Sequence, residues 1–401
     1  MPDDRTFIIV GASLTGAKAA ETLRSEGFEG RVILIGTEAE RPYERPPLSK
    51  DLLTGEFDPG KAYVHEAGWY DEHNVELRLG TTVTALDPST HEVSAGGESL
   101  HYDRLLLATG SAVKPLKVPG ADRVHYLRTL PESKALADAI TAETTVVVVG
   151  AGWIGLEVAA AARGRGATVT VVEVDSLPLR LVLGEELGAI YAELHREKGA
   201  DLRLQSGIQE IRESSVILTD GTEIAADLVV AGVGVRPVTE LAESAGLAVD
   251  GGILVDASLR TSDPDIYAAG DVANAEHPVL HKRIHVEHWA NALNGGPAAA
   301  RAMLGQSVSY DDIPYFFSDQ YDLGMEYSGF LGTLSHDEVV FRGDVAGREF
   351  IAFYLKDGKL IAGLNANVWD VNEPIQAIIR SGKTLDRARL ADASVPLDEL
   401  G

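Results

Sequence analysis

Residues 146–176 read VVVVGAGWIGLEVAAAARGRGATVTVVEVDS, and this stretch decides the fold. Four consecutive valines suit a strand buried on both faces. Gly150, Gly152 and Gly155 then form G-x-G-x-x-G where that strand must give way to a helix. The first glycine permits a tight turn, the second lets the backbone approach a pyrophosphate, and the third lets helix pack on strand. Free N–H groups and the positive end of the helix face the phosphates. A second apolar run, Thr168–Val172, ends at Glu173, whose carboxylate can accept both hydroxyls of an adenosine ribose. Strand, glycine loop, helix, strand and acid in register predict a nucleotide site.

The pattern occurs twice. Thr6–Val10 is an apolar strand, followed by GASLTG at residues 11–16 and a helical pattern through Arg24. The strand Arg31–Ile35 leads to Gly36, Thr37 and Glu38. Gly11 and Gly16 hold the outer loop positions, and Ser13 stands where the middle glycine usually does. Serine is small enough to leave room for a pyrophosphate. Two dinucleotide folds in one chain imply two dinucleotides.

At 401 residues the chain exceeds one ordinary core, so two or three domains are expected. It has no cysteine, which removes disulfides, cysteine-ligated iron–sulfur clusters and redox-active dithiols. Redox chemistry must then sit on a bound organic cofactor. The eleven histidines are scattered without metal-site spacing. Thirty-five basic against 61 acidic residues give a net charge of −26, which disfavours nucleic acid and anionic lipid as partners. The apolar runs are too short to span a membrane. The start, MPDDRTFIIV, has no basic region or cleavage-site pattern, so a cytoplasmic location is expected.

Between these landmarks lie smaller signals. RPYERPPLSK, residues 41–50, carries three prolines and predicts a stiff loop holding Arg45 and Lys50 near a nucleotide site. Residues 75–79, 82–86, 91–94 and 104–108 read as an antiparallel excursion. It closes in LLLATGS, where Ala108, Thr109 and Gly110 form a small-residue turn able to approach a flavin. AVKPLKVPG at 112–120 reads as a crossing between domains, with Arg128 beyond it and a helix starting near Pro131. DLVVAGVGVRP, 227–237, is a buried strand with Gly234 at its carboxyl end, where α/β sheets bind ligands. In IYAAGDVA, 266–273, Asp271 beside Gly270 can reach a sugar or ribityl hydroxyl, or simply cap a helix. After Pro314 the texture changes to alternating strands and a last helix at 375–380, a third, α+β domain.

With both glycine units, RPPLSK, ATGS and IYAAGDVA in place, the chain resembles the ferredoxin reductases of the glutathione-reductase-like flavoprotein superfamily. These are of the putidaredoxin reductase, rubredoxin reductase and aromatic-dioxygenase reductase type; apoptosis-inducing factor is a relative. The resemblance covers essentially the whole chain. It implies an α/β architecture of two Rossmann-like domains plus a C-terminal α+β domain. Residues 1–111 and 238–317 would bind FAD, 112–237 NADH, and 318–401 would form the C-terminal reductase domain. Gly11, Ser13 and Gly16 match its FAD phosphate loop and Glu38 its FAD ribose carboxylate. Val83 matches a residue whose backbone meets the adenine, while Arg45, Arg128 and Asp271 match FAD-contacting positions. Lys50 is expected near flavin N5. Glu287, His288 and Trp289 match the segment under the flavin edge. Gly150, Gly152, Gly155 and Glu173 match the NADH site. Glu157, expected in the first turn of the helix after Gly155 where an acid complements the dipole, matches the acid that pairs with the lysine.

The activity so implied is hydride transfer from NADH to FAD, then release of single electrons to an acidic ferredoxin of an oxygenase system, by a monomer or weak homodimer. Other readings are a reductase of quinones or small acceptors, and an apoptosis-inducing-factor-like protein responding to NADH by changing partners. Phe317 sits where the family usually has tryptophan, near the expected electron exit. Lys282–Arg283, and Arg380, Lys383, Arg387 and Arg389, are the basic clusters able to receive an acidic partner.

Overall fold

The computed structural model describes residues 3–56, 58–332 and 336–400, so Met1 and Pro2 of the acidic start lie outside it. These residues form two compact units. The first takes in residues 3–44, 59–112 and 236–314, and the second 45–58, 113–235 and 315–400.

The first unit is built on a five-stranded parallel sheet in the order Ile266–Ala268, Arg104–Leu107, Thr6–Val10, Arg31–Ile35, Val75–Arg78. Phe7, Ile8, Ile9, Val32, Ile33 and Leu34 are fully buried, as a parallel sheet covered on both faces requires. The helix Leu14–Ser25 packs on the helix Trp289–Met303. Their approach is so close that a Cβ on Gly296 would fall 2.3 Å from the Thr15 carbonyl oxygen. The antiparallel excursion is shorter than the sequence suggests. Only Val83–Asp87, Glu92–Ala95 and Glu98–His101 form it. The flanking segments Val75–Arg78 and Arg104–Leu107 join the parallel sheet instead. Alternation in four-residue segments does not tell an edge strand of a parallel sheet from a meander.

The second unit has a matching parallel sheet in the order Asp201–Arg203, Thr168–Val172, Thr145–Val149, Leu228–Ala231, His125–Tyr126. A Thr129–Glu132 capping box starts the helix Leu130–Ala139 where sequence places one. Residues 315 onward add a five-stranded antiparallel sheet in the order Tyr315–Gln320, Leu323–Gly329, Lys359–Ala366, Glu349–Lys356, Glu338–Asp344. The helix Asn372–Ser381 buries Ile375, Ile378 and Ile379 against it, the 3.6-residue spacing of one apolar face. Among the described residues no helix is long and apolar enough to cross a membrane.

Candidate active site

In the first unit, Gly11 has φ of +122°, and a Cβ there would lie 2.0 Å from the Ala108 carbonyl oxygen. The glycine loop is therefore pressed against the Ala108–Thr109–Gly110 turn. A Cβ on Gly16 would lie 2.0 Å from the Gly11 carbonyl oxygen, so the helix also starts directly on the loop. Ser13 is the N-cap residue, with φ −121° and ψ −161°, extended backbone open to any residue. Its hydroxyl makes no capping hydrogen bond, so the first-turn N–H groups of this 12-residue helix have no side-chain cap. Serine is thus no strain at the middle position. Whatever needs room there is outside the backbone.

The other predicted flavin residues of this unit surround that loop's strands. Glu38 accepts a hydrogen bond from the buried Tyr43 hydroxyl. Thr81 N–H donates to the Gly36 carbonyl at 2.9 Å, which brings the strand starting at Val83 alongside Glu38. Thr109 donates to the Val238 carbonyl at 2.7 Å. Gly270 has φ of +77° and faces Thr15, and His285 Nε2 donates to the Asp271 carbonyl at 2.6 Å. Asp271 sits in a single 3₁₀ turn, Gly270–Val272, so it caps no regular helix. Glu287 accepts from Ser111 at 3.4 Å, and Trp289 Nε1 donates to Glu44 at 3.1 Å. His288 precedes the helix Trp289–Met303, and burial pushes its imidazole down to about 4.

The second unit repeats the loop. Gly150 has φ of +98°, and its Cβ would lie 2.6 Å from the Gly232 carbonyl oxygen. A Cβ on Gly155 would strike the Gly150 carbonyl oxygen at 2.0 Å. Around Gly152, by contrast, a Cβ would meet nothing closer than 4.0 Å. That is open room at an uncapped helix start, the cradle a pyrophosphate needs. Glu173 accepts backbone N–H bonds from Ala151 at 2.6 Å and Asp175 at 2.9 Å. Arg180 pairs with Asp175, a second contact lying at 3.0 Å, and holds that carboxyl below its usual range. Gly234 lies beside the Lys114 side chain, and Lys114 N–H donates to its carbonyl at 3.0 Å. Exposed apolar side chains border these glycines and acids in sequence: Ile154, Val174, Leu181, Val182 and Val233.

Lys50 and Glu157 also belong to this unit, and they meet. Lys50 Nζ lies 3.0 Å from Glu157 Oε2, with the side chains 13% and 5% exposed. Glu157 sits in the second turn of the helix Trp153–Gly164, not the first, so complementing the helix dipole does not account for it. Ser49 donates to the same carboxylate oxygen, and Ser318 donates to Oε1 at 2.7 Å. A carboxylate this buried is tolerated because three donors satisfy it. Lys50 Nζ also stands 5.4 Å from the centre of the Phe317 ring. Arg45 donates to the Arg128 carbonyl, which joins two more predicted residues. Sequence reading missed Ser49, Lys114, Ser318, Gln320 and His195. Ser318 and Gln320 alternate along one strand and are buried polar residues, a pattern visible only once the strand's inward face is known.

Of the basic clusters, Arg283 donates through one guanidinium nitrogen to the Val255 and Asn274 carbonyls at 2.9 and 3.1 Å, and its side chain remains 42% exposed. Arg389 donates to the Glu399 carbonyl at 3.1 Å, and Arg387 lies 3.4 Å from Glu338.

Two uncapped glycine-loop helices, each followed by a strand ending in an acid, define a two-dinucleotide oxidoreductase. The family signature of the pyridine nucleotide-disulphide oxidoreductases matches residues 5–296, and that of the reductase C-terminal domain matches 315–401. The chain is 38% identical over 399 residues to the ferredoxin--NAD(+) reductase component of the anthranilate 1,2-dioxygenase system of Burkholderia cepacia, covering 98% of each. It is 35% identical over 411 residues to putidaredoxin reductase of Pseudomonas putida, covering 98% of this chain and 96% of that one. Among solved structures, the covalent putidaredoxin reductase–putidaredoxin complex matches with a TM-score of 0.95 at 34% identity, covering 99% of this chain and 98% of that one. The ferredoxin reductase for the CYP199A2 system of Rhodopseudomonas palustris matches with 0.94 at 36%, covering 99% of each. The chain belongs to the pyridine nucleotide-disulphide oxidoreductases and, within them, to the ferredoxin reductases. With no cysteine, it lacks the thiols that disulphide chemistry in this family would need.

Proposed function

We propose that this chain is an NADH-dependent ferredoxin reductase carrying FAD without a covalent link. When bound, FAD would supply the chemistry that links a two-electron hydride donor, NADH, to a one-electron acceptor, a small iron–sulfur protein. Its acceptor is an acidic ferredoxin of an oxygenase system, and the protein works in the cytoplasm as a monomer or weak homodimer. Residues 1–111 and 238–317 make the FAD-binding domain, 112–237 the NADH-binding domain and 318–401 the reductase domain.

The observation that carries this reading is the pair of glycine loops whose helices start without side-chain caps. At the first, Gly11, Ser13 and Gly16 offer backbone N–H groups to the FAD pyrophosphate, while Glu38 takes the ribose. Val83, Ala108, Thr109, Gly110, Gly270 and Asp271 line the remainder, and Glu287, His288 and Trp289 lie under the ring edge. At the second, Gly150, Gly152, Gly155 and Gly234 receive NADH, and Glu173 takes its ribose. A 2′-phosphate there would face Glu173 with Arg180 already neutralised by Asp175, which favours NADH over NADPH. Arg45, Lys50 and Arg128 serve the flavin, and Glu157 holds the Lys50 ammonium through its 3.0 Å contact. A cation so held favours negative charge gathering on the ring system it faces.

The test is cytochrome c reduction with NADH and a panel of ferredoxins. Turnover that requires one ferredoxin is expected; rapid flavin reduction with no ferredoxin able to carry the electrons onward would refute the assignment.

A further inference from the structure

A line of side-chain hydrogen bonds runs from the Lys50–Glu157 pair to Tyr321, entirely within the second unit. Ser318 donates to Glu157 Oε1 at 2.7 Å, and Gln320 Nε2 donates to Ser318 Oγ at 3.2 Å. Gln320 Oε1 lies 2.9 Å from His195 Nε2, and the Tyr321 hydroxyl lies 3.3 Å from His195 Nδ1. Ser318, Gln320 and His195 are all buried.

The line has a direction. An amide oxygen only accepts, so His195 must carry its proton on Nε2 and accept at Nδ1 from Tyr321. Burial holds the imidazole below its ordinary value, which keeps it neutral. With Gln320 held this way round, its N–H group occupies the Ser318 oxygen and leaves the single Ser318 hydrogen for Glu157. Turned over, the amide would present its oxygen to Ser318 and draw that hydrogen away. A primary amide in the middle is a poor proton carrier. What it transmits is orientation.

We infer that His195 and Gln320 are positioning residues for the Lys50–Glu157 pair, acting through Ser318 during reduction of the flavin by NADH. This rests on the reading of Lys50 as the flavin-side cation. Glu157 keeps its third donor only while the amide points as it does, and Lys50 is held only as firmly as Glu157.

The test uses the FAD-loaded enzyme under anaerobic stopped flow. Gln320→Glu keeps the side chain's shape but puts an acceptor-only group beside Ser318. The limiting rate of flavin reduction should fall about tenfold, the loss of one charge-assisted hydrogen bond, with NADH affinity within about twofold of wild type. His195→Leu should slow reduction similarly, whereas His195→Gln, still able to donate to Gln320, should restore most of the rate. Lys50→Met should be slow, and Lys50→Met with Gln320→Glu no slower, because both act through one pair. An independent readout is the ¹⁵N spectrum of labelled histidine in the oxidised FAD-loaded enzyme, expected to show neutral His195 protonated at Nε2. A proton on Nδ1 would reverse the line and overturn the inference, as would multiplicative losses in the double variant. If Lys50→Met is slow while Gln320→Glu and His195→Leu match wild type, the inference fails and the role of Lys50 stands. If Lys50→Met is itself unimpaired, that role fails and the inference with it.

Discussion

The two glycine loops follow one plan and differ in what surrounds them. In the first, Gly11 is pressed against the Ala108 carbonyl, a turn from a neighbouring strand, so loop and sheet form one block. In the second, the equivalent Gly150 stands less tightly against the Gly232 carbonyl, where a Cβ would lie at 2.6 Å, and Gly152 opens onto free space. The acids differ likewise. Glu38 is met by the hydroxyl of a buried tyrosine, whereas Glu173 is met by two backbone N–H groups at its own end of the sheet. Among the described residues, only the second loop is bordered by strongly exposed apolar side chains, with Val174 76% and Leu181 67% exposed. The first loop is built into a core, as suits a cofactor that stays. The second leaves apolar side chains exposed, as the proposed NADH site would need for a ligand that comes and goes, and its acid is already satisfied by backbone N–H groups.

The largest effect that could break this comparison comes from a single methyl group. Gly11→Ala strains a φ of +122° and drives a Cβ into a neighbouring turn. It should cost more than about 3 kcal/mol and leave purified protein nearly free of FAD. Gly155→Ala deforms only its own loop, so FAD should remain bound while NADH reduction falls about 100-fold. Equal FAD contents in the two variants, measured by released flavin absorbance, would erase the distinction.

Nicotinamide preference comes next. Wild type should favour NADH over NADPH by about 100-fold in kcat/KM, on the order of 3 kcal/mol. Removing both acids with Glu173→Ala and Asp175→Ala frees Arg180 and should bring the ratio near unity. Glu38→Ala should weaken FAD retention and leave the ratio alone. A ratio that moved with Glu38 would mean the loops have been assigned to the wrong cofactors.

A smaller effect is expected from pH. Burial lowers two histidines in the first unit, His65 and His288, and one in the second, His195. All three are neutral when folded and take up a proton on unfolding below about 6.5, the ordinary value. Their stabilising effect is therefore complete above that pH and lost as pH falls through 6.5 toward the folded values, about 4 for His288. Thermal unfolding between pH 7.5 and 5 should show a falling midpoint, and His195→Gln should flatten the slope. An unchanged slope in that variant would show that His195 contributes nothing to it.

The smallest effect sharpens the comparison most. Ser13 is unstrained, so Ser13→Gly should change FAD affinity by no more than about twofold. Gly152→Ser fills the open cradle and should weaken NADH binding by about fivefold. Titration of each variant with its own dinucleotide decides whether the middle position belongs to the ligand in both loops or in one.

The two loops, their acids and their helices were legible in the sequence because each is local. A strand, a glycine spacing and an apolar period of 3.6 are fixed by neighbours along the chain. The absence of cysteine likewise settled from composition alone that redox chemistry must rest on a bound cofactor. Tertiary structure decided what distance in sequence hides. Four-residue strands cannot declare their partners, so Val75–Arg78 and Arg104–Leu107 were legible as strands but not as members of the parallel sheet. Arg283 reads in sequence only as a surface cation; the fold shows that one of its guanidinium nitrogens also ties two other strands together through their carbonyls. Ser49 reaches a carboxylate 108 residues away, and Ser318 reaches the same one from 161 residues away. Such meetings depend on which faces of separate elements are packed together, and a buried serine or glutamine carries no mark of its partner until that packing exists.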